Sequence, residues 1–137
     1  MKKILLAFCF ALFGVLISAQ SSYEKTLNQK AEKISTAKTI ADYDKLFKEF
    51  SELKKTKDPY KWKAYYYAGL MLYNKTELLL KNNKKTDIRE INSLAEKYVL
   101  GSLAAEPDNK ENNDLLNLIR EQKTKSEVGG TILANKK

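Results

Sequence analysis

The chain has no histidine, and its one cysteine, Cys9, lies close to the amino terminus. Those two absences remove Ser-His-Asp and Cys-His nucleophiles and every zinc arrangement that needs imidazole or thiolate ligands from the body of the chain. Neither GxGxxG nor GxxxxGK(S/T) occurs, so both common glycine-rich phosphate cradles are missing. Arginine appears only at Arg89 and Arg120. The basic excess therefore rests on lysine, which lacks the planar fork that favours arginine in specific phosphate recognition.

What is present begins with Lys2 and Lys3, followed by an almost wholly apolar run over 4–17 and the small residues Ser18 and Ala19. Residues 1–19 read as a secretory signal peptide cut after Ala19, with Ile17 three positions before the cut. The apolar run is about 14 residues, short of the roughly 20 that span hydrocarbon, so no stable transmembrane segment is expected after cleavage. Cys9 sits inside the run and not directly after the cut, which argues against a lipid-attachment cysteine. Its removal leaves a chain with no disulfide, held by packing alone. The leader looks bacterial, and the expected compartment is periplasmic or secreted. It carries two lysines and no acid, so the net charge of +8 becomes about +6 on cleavage. Such a lysine-rich surface suits solubility and weak contact with anionic surfaces. No nucleic-acid partner is expected of an exported chain.

The rest of the chain is organised around residues 59–73, PYKWKAYYYAGLMLY. Trp62, Tyr65, Tyr66, Gly69, Leu72 and Tyr73 recur at three- and four-residue steps, a helical period. Asp58 is a candidate cap, and Pro59 suits a first helical position. Aromatics cover more than half of the cylinder, which predicts neighbours on two sides. Gly69 costs about 1 kcal/mol against alanine, and close approach of another helix's backbone is the expected return.

Four further helices follow from the same periodicity. The first covers 20–33, with Ser21 and Glu24 as a capping box and Leu27, Ala31 and Ile34 as a narrow stripe. The second covers 40–55, capped by Thr39 with Asp42 in its first turn, and lined by Ile40, Tyr43, Phe47, Phe50 and Leu53. The organising helix is expected to run on through Leu80, past Asn74, Lys75 and Thr76. A polar loop over 82–86 leads to a fourth helix, 88–105, with Asp87 and Glu90 as a capping pair and Pro107 as its stop. A fifth spans 110–122, anchored by Leu115, Leu116, Leu118 and Ile119. Residues 123–137 are expected to be a flexible basic tail, leaving 20–122 as the helical domain.

Twelve residues separate Phe47 from Pro59, and again Ala95 from Pro107. That is the separation of a small residue from the closing proline in a tetratricopeptide repeat (TPR). Tyr65, Ala68, Gly69 and Leu72 resemble the repeat's first-helix signature, and Ala95, Val99, Ser102 and Pro107 resemble its second. The repeat is normally about 34 residues, and the match here needs an insertion of about 14 around 74–87. Phe47 stands where a small residue is expected, and the segment after Pro107 matches better as a capping helix than as a further repeat. The resemblance covers roughly 40–122. It implies an all-α fold of antiparallel helix hairpins stacked as a short right-handed array, with a concave face that takes proteins or peptides.

The aromatic set can be core or contact surface. As surface, Trp62, Tyr66, Tyr67 and Tyr73 are the candidate partner-binding residues, with Tyr67 expected to point away from the others. Glu49 and Glu52 share a helical face but fit ion pairing better than acid–base work. Glu106, Asp108 and Glu111 lack the ordered spacing of a calcium loop. No catalytic, cofactor-binding or metal-binding residue is assigned, and no enzyme activity is expected. Asn74-Lys75-Thr76 matches a glycosylation sequon and is taken as chance. The leading function is a non-enzymatic exported helical protein that binds a protein or peptide. The alternative is an envelope-associated module whose lysines touch anionic lipid or polysaccharide. The partner's identity and the oligomeric state stay open.

Overall fold

One helix, α3 (Lys61–Lys81), is the axis on which the others pack. The computed structural model of the chain describes residues 22–54, 59–82 and 87–135, with side chains through Lys125. The expected leader, the Ser21 and Asp58 caps, the loop at 83–86 and the side chains of Val128, Ile132 and Leu133 lie outside what is described. The asparagine–threonine segment does not interrupt α3. Thr76 is fully buried, and its hydroxyl donates to the Leu72 carbonyl at 2.9 Å, so it is satisfied inside the helix. The sequon at Asn74 is therefore mid-helix with its threonine in the core, and no loop presents it.

The described residues form five α-helices and no strand. Helix α1 (Ser22–Glu32) buries Glu24, Leu27 and Ala31, then tightens into a 3-10 turn, Lys33–Thr36, that buries Ile34. In that turn the Ser35 and Thr36 hydroxyls bond back to the carbonyls of Glu32 and Lys33. Helix α2 (Ile40–Leu53) opens on a complete capping box. Thr39 Oγ1 accepts from the Asp42 amide, and the Asp42 carboxylate accepts from the Thr39 amide, each at 3.1 Å. Amides of Lys38 first, then Thr39, hold the Asp42 carboxyl below its ordinary pKa.

Helix α4 (Arg89–Ala105) begins differently from expectation. Asp87 accepts from the Arg89 amide and guanidinium, and the Arg89 side chain, rather than a reciprocal bond from Glu90, completes the start. Helix α5 (Lys110–Asn135) is capped by Asn109, whose Oδ1 accepts from the Asn112 amide at 2.9 Å. It does not stop at Gln122, and the tail expected to be loose continues as helix to Asn135. Gln122 is buried and hydrogen-bonded, and no proline follows it to end the turn.

Each helix runs antiparallel to the next. Tyr23 Oη donates to the Leu53 carbonyl while Lys30 meets Glu49, which reverses α1 on α2. Lys75 with Asp44 and Tyr67 with Phe50 reverse α2 on α3. Gly69 beside Ala95, with Trp62 near Ser102, reverses α3 on α4. Asn92 near Ile119, with Ser102 near Asn112, reverses α4 on α5. The result is a sequential stack, consistent with a helical-repeat arrangement. Its core joins Leu27, Phe50, Ala64, Ala68, Met71, Val99 and Ile119, all fully buried. Gly69 serves the close approach foreseen for it. A Cβ there would come within 2.7 Å of Val99 Cγ2 and 3.3 Å of the Ala95 carbonyl oxygen.

Candidate interaction surface

Of the four aromatic residues singled out in the sequence, the fold divides two from two. Tyr73 and Tyr67 are in the core, 4% and 8% exposed. Trp62 and Tyr66 are only partly covered. Tyr67 does not point away from its neighbours as expected. It stacks on Phe50 at 5.1 Å between centroids and 27° between planes, because α2 closes over that side of α3. Tyr66 then meets Tyr67 edge-on at 5.4 Å. Burial holds the Tyr73 hydroxyl well above its ordinary pKa, reinforced by a hydrogen bond to Glu77 and by the charges of Glu77 and Glu121.

The position of Trp62 is set by α4 and α5. Ser102 Oγ lies 2.8 Å from the Trp62 carbonyl and 2.9 Å from the Asn112 amide group. A hydroxyl carries one proton and cannot donate to two oxygens. Turning the Asn112 amide over resolves this. Its NH2, otherwise without a partner, then donates to Ser102, which donates to Trp62. A second relay runs from Asn92 Nδ2 to Gln122 Oε1 at 2.9 Å, and from Gln122 Nε2 to the Tyr73 carbonyl at 3.3 Å. Two buried amide relays, at residues 62 and 73, thus fix the register of α3 against α4 and α5. The Trp62 indole N–H meets no hydrogen-bond partner among the described residues, although its ring is half-covered. Tryptophan N–H groups ordinarily find one when buried.

Around this end of α3 the structure gathers residues that sequence reasoning did not assign to a site: Lys54, Lys61, Tyr65 and Tyr98. Lys54 Nζ donates to Tyr98 Oη at 3.0 Å and stands 4.6 Å from the centre of that ring. It is also 5.9 Å from the centre of Tyr65, as is Lys61 Nζ. These distances are within the range of a cation over an aromatic face. Tyr65 packs against Gly101, where a Cβ would approach its ring to 2.8 Å. Tyr98 takes Phe47 edge-on at 5.3 Å. The signal for Lys54 was its place seven residues after Phe47, on the apolar face of α2. Tyr98 gave none, since its partners come from two other helices.

The charge here is one-sided. The first turn of α3 holds no acid, but it holds Lys61 and Lys63, where the helix dipole disfavours cations. Lys63 is compensated by Glu24 at 3.8 Å, a pair almost hidden from solvent, and also lies over Tyr60 and Trp62. Away from this surface, Glu49 pairs at 3.4 Å with Lys30 of α1, and not with Lys45 or Lys48 of its own helix as its sequence context suggested. Among the described residues no group of three or more carboxylate, histidine or cysteine side chains is placed to hold a metal ion. No described helix is long and apolar enough to cross a membrane. A shallow cleft of about 170 Å³ between the 3-10 turn and α2 is lined mainly by charged chains, including Lys33, Asp42, Lys45 and Glu49. No protein family, curated protein or solved structure matches the chain.

Proposed function

We propose that this is an exported, non-catalytic helical protein that binds a protein or peptide partner. Its helix pairs form a short right-handed array like that of tetratricopeptide repeats, and α3 supplies the contact surface. The observation that carries this reading is Trp62: a partly exposed indole whose N–H meets no partner among the described residues, its backbone held by Ser102, beside the partly exposed Tyr66. Large aromatic area with a polar handle on a fixed backbone is the chemistry of interface anchors. Tyr67 and Tyr73 serve as the floor under that surface, not as contacts.

The test is capture from an envelope extract by the chain lacking residues 1–19, compared with the double variant Trp62→Ser, Tyr66→Ser. The expected result is a discrete protein retained in high salt and lost with the variant. A chain that captures nothing overturns the proposal. Binding that disappears with salt alone returns the function to the lysine-rich surface and an anionic envelope component.

A further inference from the structure

We infer that the seam between α2 and α4, over the ring of Tyr65, receives an acidic peptide segment of the partner, with one carboxylate lodged between Lys54 and Lys61. The inference rests on the partner-binding reading above and gives that partner a chemistry. It starts from a contrast among the lysines. Lys30, Lys63 and Lys75 are all mostly covered, with side chains 25%, 13% and 21% exposed, and each meets a carboxylate of this chain: Glu49, Glu24 and Asp44. Lys54 and Lys61 are also partly covered. Among the described residues neither meets a carboxylate. Their ammonium groups both stand at the same tyrosine ring, each 5.9 Å from its centre.

Two like charges held at one ring, partly out of water, repel one another. The ring faces and the Tyr98 hydroxyl offset only part of that cost. A carboxylate arriving from outside supplies what Glu49, Glu24 and Asp44 supply elsewhere. The surroundings select a peptide over a phosphate or a sugar acid. No arginine fork is available in the seam, since Arg89 grips Asp87 and Arg120 grips Glu96. Around Tyr98, the ring that Lys54 meets, lies hydrocarbon. Phe47 sits edge-on to Tyr98, and Leu94, one turn before Tyr98 on α4, is 39% exposed. A segment alternating acidic and aliphatic side chains matches both features.

The experiment is fluorescence anisotropy of the full chain with a labelled peptide alternating glutamate and leucine, against the same peptide with glutamine for glutamate. The glutamate peptide should bind and the glutamine peptide should not. Lys54→Met keeps the stem over the rings and removes the charge. It should weaken binding about tenfold, equivalent to about 1.4 kcal/mol. Lys61→Met should act likewise, and it carries the test if Lys54→Met fails to fold. Lys123→Met, the same charge change on the exposed surface of α5, should cost less than about twofold. Equal binding of the two peptides overturns the inference, as does an equal loss from all three lysine variants. Displacement of the peptide by phosphatidylglycerol vesicles or alginate at lower concentration also overturns it. So does a protein captured through Trp62 and Tyr66 whose binding ignores Lys54→Met, and that result leaves the partner reading intact.

Discussion

Helix α3 is held in two different ways on its two flanks. Toward α2 the contact is ring on ring, Tyr67 on Phe50, with Tyr66 edge-on behind, and charge pairs such as Lys75–Asp44 at the margin. Toward α4 the contact is a close approach at Gly69, against the Val99 side chain and the Ala95 carbonyl, and toward α4 and α5 two buried amide relays end on α3 carbonyls. The first flank is defined by volume and the second by direction. Rings can slide over one another at modest cost. An amide relay is satisfied in one register only. The partly exposed Trp62 is tied to the second flank through its carbonyl, while Tyr66 leans on the first, so the candidate contact surface draws on both.

That contrast is open to attack from both sides. The largest effect is expected at the ring contact. Phe50→Ala should lower the unfolding free energy by about 3–5 kcal/mol in denaturant titration, because Phe50 is fully buried and Tyr67 loses its stacking partner. A loss below about 1 kcal/mol, the size of an average substitution, would show that α2 is not docked on Tyr67. On the other flank, Asn92→Leu should cost about 1–3 kcal/mol by leaving Gln122 Oε1 buried without its donor. Asn92→Leu combined with Gln122→Leu should recover most of that stability. It should also broaden the amide resonances of α4 and α5, the loss of register that a purely volumetric contact would not show.

The smallest effects are at the surface caps, remote from either flank. Thr39→Ala should cost about 1 kcal/mol in the same titration. Acid should act through Asp42 and through Asp87, whose carboxyl is lowered to about 2, chiefly by the Arg89 side chain and then by the Arg89 amide. A carboxylate depressed in the fold contributes above its unfolded pKa, near 4, and that contribution is lost as the pH falls toward the folded value. Stability should therefore decline as pH drops from about 4 toward 2, and Asp87→Asn should flatten part of the slope. A slope unchanged in that variant would dissociate the Asp87–Arg89 fork from folding.

Much of the helix layout was legible because it is written locally. Thr39 and Asp42 announced the start of α2, Pro107 the end of α4, and the aromatic period the first half of α3, which begins at Lys61 and not, as expected, at Pro59. Gly69 announced a close neighbour without saying which one, and Val99 and the Ala95 carbonyl proved to be that neighbour. The end of α5 was misplaced because the break signals after Gln122 are weak, while the bond from Gln122 to Tyr73 comes from a distant helix. Tyr67 was misassigned for a related reason. Five neighbouring aromatics cannot be ranked for exposure from periodicity when two flanks of the helix are covered.

By itself the sequence determined that the described region is helical, that no thiol or imidazole follows Cys9, and that its centre is the aromatic segment. Composition and 3.6-residue periodicity act through nearest neighbours along the chain, so they can be read without the fold. Only the tertiary structure decided which tyrosines became core, which lysines found carboxylates, and how the amides of Asn92, Asn112 and Gln122 and the Ser102 hydroxyl connect. Those outcomes depend on side chains that meet across 10 to 49 positions of sequence, and no local pattern encodes such pairings.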